Sequence, residues 1–192
     1  MSDKPSYLGL LNAIAVGESR AHAYLTAWAE KTADPDVRAV LCTVAAREGE
    51  HGMTFAKRIN ELGYSVREKD DPDVAKRMRI ATSDRTDLQK MEKLGLDRLD
   101  TGEGPDLFDD VFRNHSIDIR TGELLGRYIA EERDTGRLLR CCYEQLKARA
   151  GGAGSSKPDQ LVSLEEKVDA LCRAVDELRQ IVCAQAMPAT TS

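Results

Sequence analysis

The chain has 192 residues, 28 of them Lys or Arg and 33 Asp or Glu, for a formal net charge of −5. That mild acidity argues against nucleic-acid binding through a broadly basic face, and 41% hydrophobic against 32% charged residues is too apolar for wholesale disorder. No apolar run approaches the roughly 20 residues of a membrane span, Met-Ser-Asp-Lys-Pro opens no signal peptide, and five cysteines without scaffold spacing fit a reduced, cytoplasmic location.

Apolar residues recur at steps of three and four almost throughout, and strand-type alternation is absent, so the expected fold class is all-α. Asp3-Lys4-Pro5 reads as a helix start. Tyr7, Leu11, Ile14, Glu18, Ala21, Leu25 and Trp28 then alternate steps of four and three. This predicts one buried seam on a helix over about 5–31, with a carboxylate in its middle. Asp34-Pro35-Asp36 breaks and restarts the chain. A second helix over about 36–62 carries the seam Val37, Leu41, Val44, Glu48, His51, Phe55, Ile59 and Leu62, and stops at Gly63. The short connection makes the two helices antiparallel neighbours.

Residues 64–83 are charged and weakly patterned, which suits a crossover. Ser83-Asp84 predicts the cap of a third helix over about 84–99, with Leu88, Met91 and Leu94 inward. Gly102, Gly104 and Pro105 break it, and Leu107, Phe108, Val111 and Phe112 form a short apolar helical piece. Ser116 is the expected cap of a last helix reaching about 150, on the seam Leu124, Tyr128, Glu131, Leu138, Cys142 and Leu146. The sum is an antiparallel four-helix bundle over 1–150.

A Gly- and Ser-rich linker follows over 151–160. Over 161–187, Leu161, Leu164, Val168, Leu171, Val175, Leu178 and Val182 alternate steps of three and four. β-branched residues at a with Leu at d favour a parallel two-stranded coiled coil, hence a homo-oligomer joined through residues 161–182. The alternative is a terminal helix folded onto its own bundle.

Glu18 and the segment Glu48-Gly-Glu-His51 carry the chemistry. A carboxylate on an apolar seam is expensive to bury unpaired. Glu48 and His51, three apart, share a helix face, and an antiparallel hairpin turning near residue 33 brings 18 and 48 to one level. Two carboxylates and an imidazole meeting inside a bundle suit a hard or borderline cation. The competing reading is a metal-free bundle in which the buried Glu and His satisfy one another. Of the remaining candidates, His22 is either a half-buried helix residue or a group orienting Glu18. His115 reads as a capping or surface residue, and Cys42 as a small core residue.

With these residues the chain resembles the ferritin-like superfamily, particularly the rubrerythrin-like and bacterial ferritin-like di-iron carboxylate proteins. The shared pattern is one Glu on the first helix and Glu-x-x-His on the second, about thirty residues later. The resemblance covers roughly residues 6–149 and implies a ferritin-like bundle binding iron, or manganese. It makes Glu18 a bridging or terminal carboxylate ligand, Glu48 a bridging one and His51 a terminal nitrogen ligand. Ala130-Glu131-Glu132-Arg133-Asp134 stands where a second Glu-x-x-His belongs, so the resemblance assigns Glu131 as the retained carboxylate and Asp134 to the imidazole position. Glu92 and Glu103 lack seam positions for a third-helix ligand, and the alternative is Glu123, two turns before Glu131 on the last helix, at the site's upper edge.

Two arrangements follow: an asymmetric or mononuclear site of Glu18, Glu48, His51 and Glu131 with Asp134 nearby, or two chains pairing their first hairpins to share one site. The implied activity is that of a ferroxidase or a peroxide-consuming oxidoreductase. With no Cys-x-x-Cys pair for a rubredoxin-type centre, a peroxidase here would need an external electron donor. The alternative function is a metal-free ferritin-like scaffold or adaptor oligomerising through its C-terminal helix.

Overall fold

The computed structural model describes residues 4–68, 70–98 and 113–151, and every regular element among them is helical. In chain order these are α1 (Leu8–Lys31), α2 (Pro35–Glu61), α3 (Pro72–Ala81), α4 (Asp87–Leu94) with a 3-10 turn at Leu96–Arg98, and α5 (Ile119–Gly151). Among the described residues, those up to Ala148 belong to one compact unit. The expected linker beyond Gly151, the coiled-coil segment 161–187 and the apolar piece at 107–112 lie outside the described residues. No helix among the described residues is long and apolar enough to cross a membrane.

The α1–α2 hairpin follows the sequence closely. Asp34 caps α2 by accepting from the backbone N–H groups of Asp36 and Val37, with Pro35 in the first turn. Arg38 reaches back to the carbonyls of Ala29 and Thr32 at the end of α1, where orphan acceptors and the helix dipole favour a cation. All residues of both predicted seams are buried or half-buried. The two helices approach closely where Gly52 faces Ser19 and Gly49 faces His22, and their antiparallel register is marked by His22 Nδ1, 2.7 Å from the carbonyl of Ala45.

Helix α5 runs along the same hairpin, antiparallel to α2: Asp118 and Thr121 meet Arg58, Glu131 meets His51, and Thr135 meets Arg47. Its cap is Asp118 rather than Ser116. Asp118 accepts from the Thr121 backbone N–H at 3.0 Å, while Ser116 bonds Asn114. The crossover holds α3, capped by Asp71 and laid against α1 through Arg20–Asp71. Only Ala81 of α3 is buried, which explains its faint periodicity. Helix α4 begins at Asp87, not near Ser83-Asp84, because Thr86 and Gln89 close a capping box, and Gly95, at φ +75°, ends it. Asp87 pins this start to the end of α1, accepting from Trp28 Nε1 and Thr32 Oγ1 at 2.6 Å each.

The core divides in two. One apolar cluster takes Leu25, Trp28, Val37, Leu41, Val44, Met91, Leu139 and Cys142, near the hairpin turn. The other takes Tyr7, Leu11, Ile14, Phe55, Ile59, Leu125, Tyr128 and Ile129, at the far end. On each of α1, α2 and α5 the gap between clusters is occupied by ionisable residues: Glu18, Glu48 with His51, and Glu132. Cys42, expected in the core, is exposed on α2 one position past the buried Leu41.

Candidate metal centre

Glu18, Glu48, His51 and Glu132 each turn one ligand atom into a common space, and these atoms all lie within 4.8 Å of one another. Ligands around one ion at about 2.0–2.2 Å sit up to about 4.4 Å apart, so the group needs little contraction to hold a cation. Glu48 and His51 are almost fully buried, 3% and 4% exposed, inside the hairpin.

The imidazole is oriented from outside. His51 Nε2 lies 2.6 Å from Glu131 Oε2. Burial works to raise the Glu131 carboxyl, but hydrogen bonds from His51 and Arg127 hold it below its ordinary value. An ionised carboxylate only accepts, so Nε2 carries a proton toward Glu131, which leaves Nδ1 as the nitrogen that can ligate a metal. Nδ1 has no hydrogen-bond partner, nor has Glu132 Oε1, which faces it at 3.6 Å. Two orphaned buried atoms aimed at each other cost free energy unless something occupies the space between them. The ring is further fixed edge-on to Tyr128, centroids 5.0 Å apart, and Tyr128 packs edge-on against Phe55.

Proximity of the carboxylates distorts their titration. Burial, a hydrogen bond with Glu18 and the charges of Glu18 and Glu132 push Glu48 up to about 10. Burial and the Glu18 charge push Glu132 up to about 7, with Arg47 opposing. Tyr24, raised to about 12 by burial and the Glu48 charge, and Tyr128, raised by burial and by Glu18 and Glu132, stay protonated beside the group. Tyr128 Oη donates to Glu18 Oε1 at 2.8 Å. In the absence of a cation Glu48 and Glu132 are held toward their protonated forms, and they would release those protons to a metal.

Three of the five residues expected at the site, Glu18, Glu48 and His51, are brought together, and the other two stand elsewhere. Glu131 touches His51 from the solvent side and shares its other oxygen with Arg127 at 3.0 Å. Asp134 lies at the surface, ion-paired to Arg47 at 2.7 Å and to Arg137 at 3.2 Å. The fourth converging residue is Glu132, the third carboxylate, which sequence reasoning missed. Helix α5 offers two adjacent stripes, because Leu124-Leu125, Glu131-Glu132 and Leu138-Leu139 are doublets. The buried stripe is Thr121, Leu125, Tyr128, Glu132, Thr135, Leu139 and Cys142, an unbroken alternation of steps of four and three. That regularity was the available signal. His22 bonds the Ala45 carbonyl and is exposed, as is His115. A cleft of about 240 Å³ between α1 and α3 is lined by none of the four converging residues. No protein-family model, curated protein or solved structure matches the chain.

Proposed function

We propose that the chain is a ferritin-like, four-helix metal-binding protein whose centre is Glu18, Glu48, His51 and Glu132, with iron as its metal and oxidative chemistry, of ferroxidase or peroxide-consuming kind, as its activity. One observation carries the reading: His51 Nδ1, on a residue 4% exposed, has no partner and faces a group of three carboxylates, of which burial and neighbouring charge disfavour Glu48 and Glu132 as anions. The donor set, three carboxylates and one imidazole, suits iron or manganese. Bound iron would supply the one-electron chemistry that carboxylates and imidazole lack.

The chain's own groups have separate tasks. Glu48 and Glu132 release protons as a cation enters. Glu131 fixes the tautomer and direction of His51, as an outer carboxylate does for a ligating histidine. Tyr128 holds Glu18 by its hydroxyl, and the apolar clusters on either side limit the approach of water. Electrons for peroxide reduction come from an external donor.

Metal analysis of purified full-length protein, beside the Glu48→Ala/His51→Ala double variant, tests the reading. Stoichiometric metal in the first and none in the second is expected, and equal substoichiometric metal in both overturns it. Iron(II) oxidation and peroxide consumption by the iron-loaded protein then test the activity. A metal-free scaffold is the second reading, favoured by the Tyr128–Glu18 and Glu18–Glu48 hydrogen bonds, which satisfy part of the group internally. A melting temperature unchanged by chelation and by added metal supports that reading instead.

A further inference from the structure

We infer that the centre holds one metal ion rather than two, and that the Arg47 guanidinium takes the place of a second cation. The inference rests on the metal-binding reading above.

Helices α2 and α5 present related pairs. Glu48 and His51 are three apart on the buried seam of α2, and Glu132 and Thr135 are three apart on the buried seam of α5. The α5 pair therefore carries a hydroxyl where the α2 pair carries an imidazole. Thr135 is 5% exposed, and its Oγ1 accepts a hydrogen bond from Arg47 Nη1 at 3.4 Å. The other terminal nitrogen, Nη2, lies 2.7 Å from Asp134 Oδ2. The guanidinium is thus fixed to α5 beside Glu132, while its own backbone precedes Glu48. A permanent positive charge stands where a second nitrogen ligand and its ion would otherwise be.

Charge balance points the same way. With one divalent ion, three carboxylates leave a single negative charge, which Arg47 neutralises once Asp134, shared by Arg47 and Arg137, is counted against Arg137. With two divalent ions, the same carboxylates and Arg47 leave two positive charges in a site walled by apolar clusters, an arrangement that burial strongly disfavours. The donors are also too few for a pair. Two-metal centres set their ions about 3.5–4 Å apart and divide more ligands between them. Here the four converging atoms all lie within 4.8 Å, Glu131 is engaged by His51 and Arg127, and Asp134 is engaged by Arg47 and Arg137. Arg47 is a positioning residue in this account, acting on the metal through charge without touching it.

The test is manganese(II) titration of the full-length protein, read by metal analysis and by electron paramagnetic resonance. One ion per chain with the hyperfine pattern of isolated manganese is expected. Two ions per chain with an exchange-coupled signal overturn the single-ion inference and leave the metal-binding reading intact. One ion per two chains overturns it in favour of a shared site, and no bound ion overturns both. Arg47→Gln keeps one ion and binds it about tenfold more tightly, because a repelling charge is gone. Weaker binding by that variant would show that Arg47 only clamps α5. Arg47→Gln/Thr135→His, shown to be folded by circular dichroism, takes a second ion. Its failure to do so overturns the assignment of Arg47 and Thr135 to the missing half.

Discussion

Glu131 holds the proton-bearing nitrogen of His51 at 2.6 Å, and the hydrogen bond aims the opposite nitrogen at Glu132. Neighbouring glutamates on α5 therefore act on one imidazole from opposite sides. Removing such an outer carboxylate typically lowers metal affinity 10–100-fold. Glu131→Ala is expected to fall in that range, measured by calorimetric titration with manganese(II), while stoichiometry stays constant. Glu131→Gln keeps an accepting oxygen and retains most of the affinity. Loss of all binding in Glu131→Gln would instead make Glu131 a ligand.

The buried carboxylates predict a conflict between stability and metal binding. Glu48 is pushed up to about 10 and Glu132 to about 7. A carboxyl raised in the folded state contributes its stability fully below the unfolded value of about 4.3, and that contribution is lost as pH rises through the folded value. Metal-free protein should therefore lose melting temperature between about pH 5 and pH 9, while its affinity for metal rises over the same range as protons are released. Glu48→Gln, neutral and nearly isosteric, should flatten the pH dependence of melting, raise the melting temperature at pH 8 and abolish metal uptake. Differential scanning fluorimetry with and without chelator reads all three.

The same electrostatics marks which parts of the molecule were legible from sequence. On α1 and α2 each seam position has one candidate residue, so Glu18, Glu48 and His51 could be placed from spacing alone. On α5 the doublets at 124–125, 131–132 and 138–139 allow two stripes, and the choice depends on what α1 and α2 leave open, which is tertiary information. The clue within the sequence was the unbroken four-three rhythm through Glu132. Helix α3 escaped notice because it buries only Ala81, so packing writes little periodicity into it. The start of α4 was misplaced because two capping sequences compete, and only Thr86 has a Gln three residues on to close the box. Cys42 shows the limit of composition: cysteine is often buried, yet the stripe beside it belongs to Leu41.

Gly52 is where the hairpin tolerates no side chain. A Cβ there would stand 2.5 Å from Ser19 Oγ and 3.0 Å from the Ser19 backbone nitrogen. Ser19 Oγ is itself committed to the Ala15 carbonyl at 2.8 Å, so it cannot simply swing away. Gly→Ala in a helix interior ordinarily gains about 1 kcal/mol, but overpacking costs about 1–3 kcal/mol, and backbone contact puts Gly52→Ala on the unfavourable side. Glu18 neighbours Ser19 and His51 neighbours Gly52, so the variant should lose metal affinity together with stability. Gly49→Ala meets only the His22 ring, its nearest atom, Nδ1, at 2.9 Å; the ring must shift against its hydrogen bond to the Ala45 carbonyl, but no backbone stands in the way. Chemical denaturation should find Gly49→Ala less destabilised than Gly52→Ala.

Far from the centre, Asp118 ties the ends of three helices together. Its carboxylate caps α5 through the Thr121 backbone N–H and accepts from Thr121 Oγ1, Tyr7 Oη and Arg58 Nη2 at 2.7–3.0 Å. Burial opposes ionisation, but hydrogen bonds from Thr121, Tyr7 and Arg58 hold the carboxyl well below its ordinary value. For a carboxyl lowered on folding, the contribution to stability is present above the unfolded value of about 3.9 and is lost as pH falls below it. Asp118→Ala removes a cap worth about 0.5–2 kcal/mol and leaves Arg58, 8% exposed, without one of its carboxylate partners. Denaturation at pH 7 should therefore show a loss of about 1–3 kcal/mol. Asp118→Asn keeps a capping oxygen but no charge, so it should lose less at pH 7 and show a shallower decline between pH 4 and pH 2 than the wild type. Metal affinity at pH 7 should be unchanged in both variants, because none of the four converging residues contacts Asp118, and a loss of metal there would mean that the centre depends on the packing of the whole hairpin.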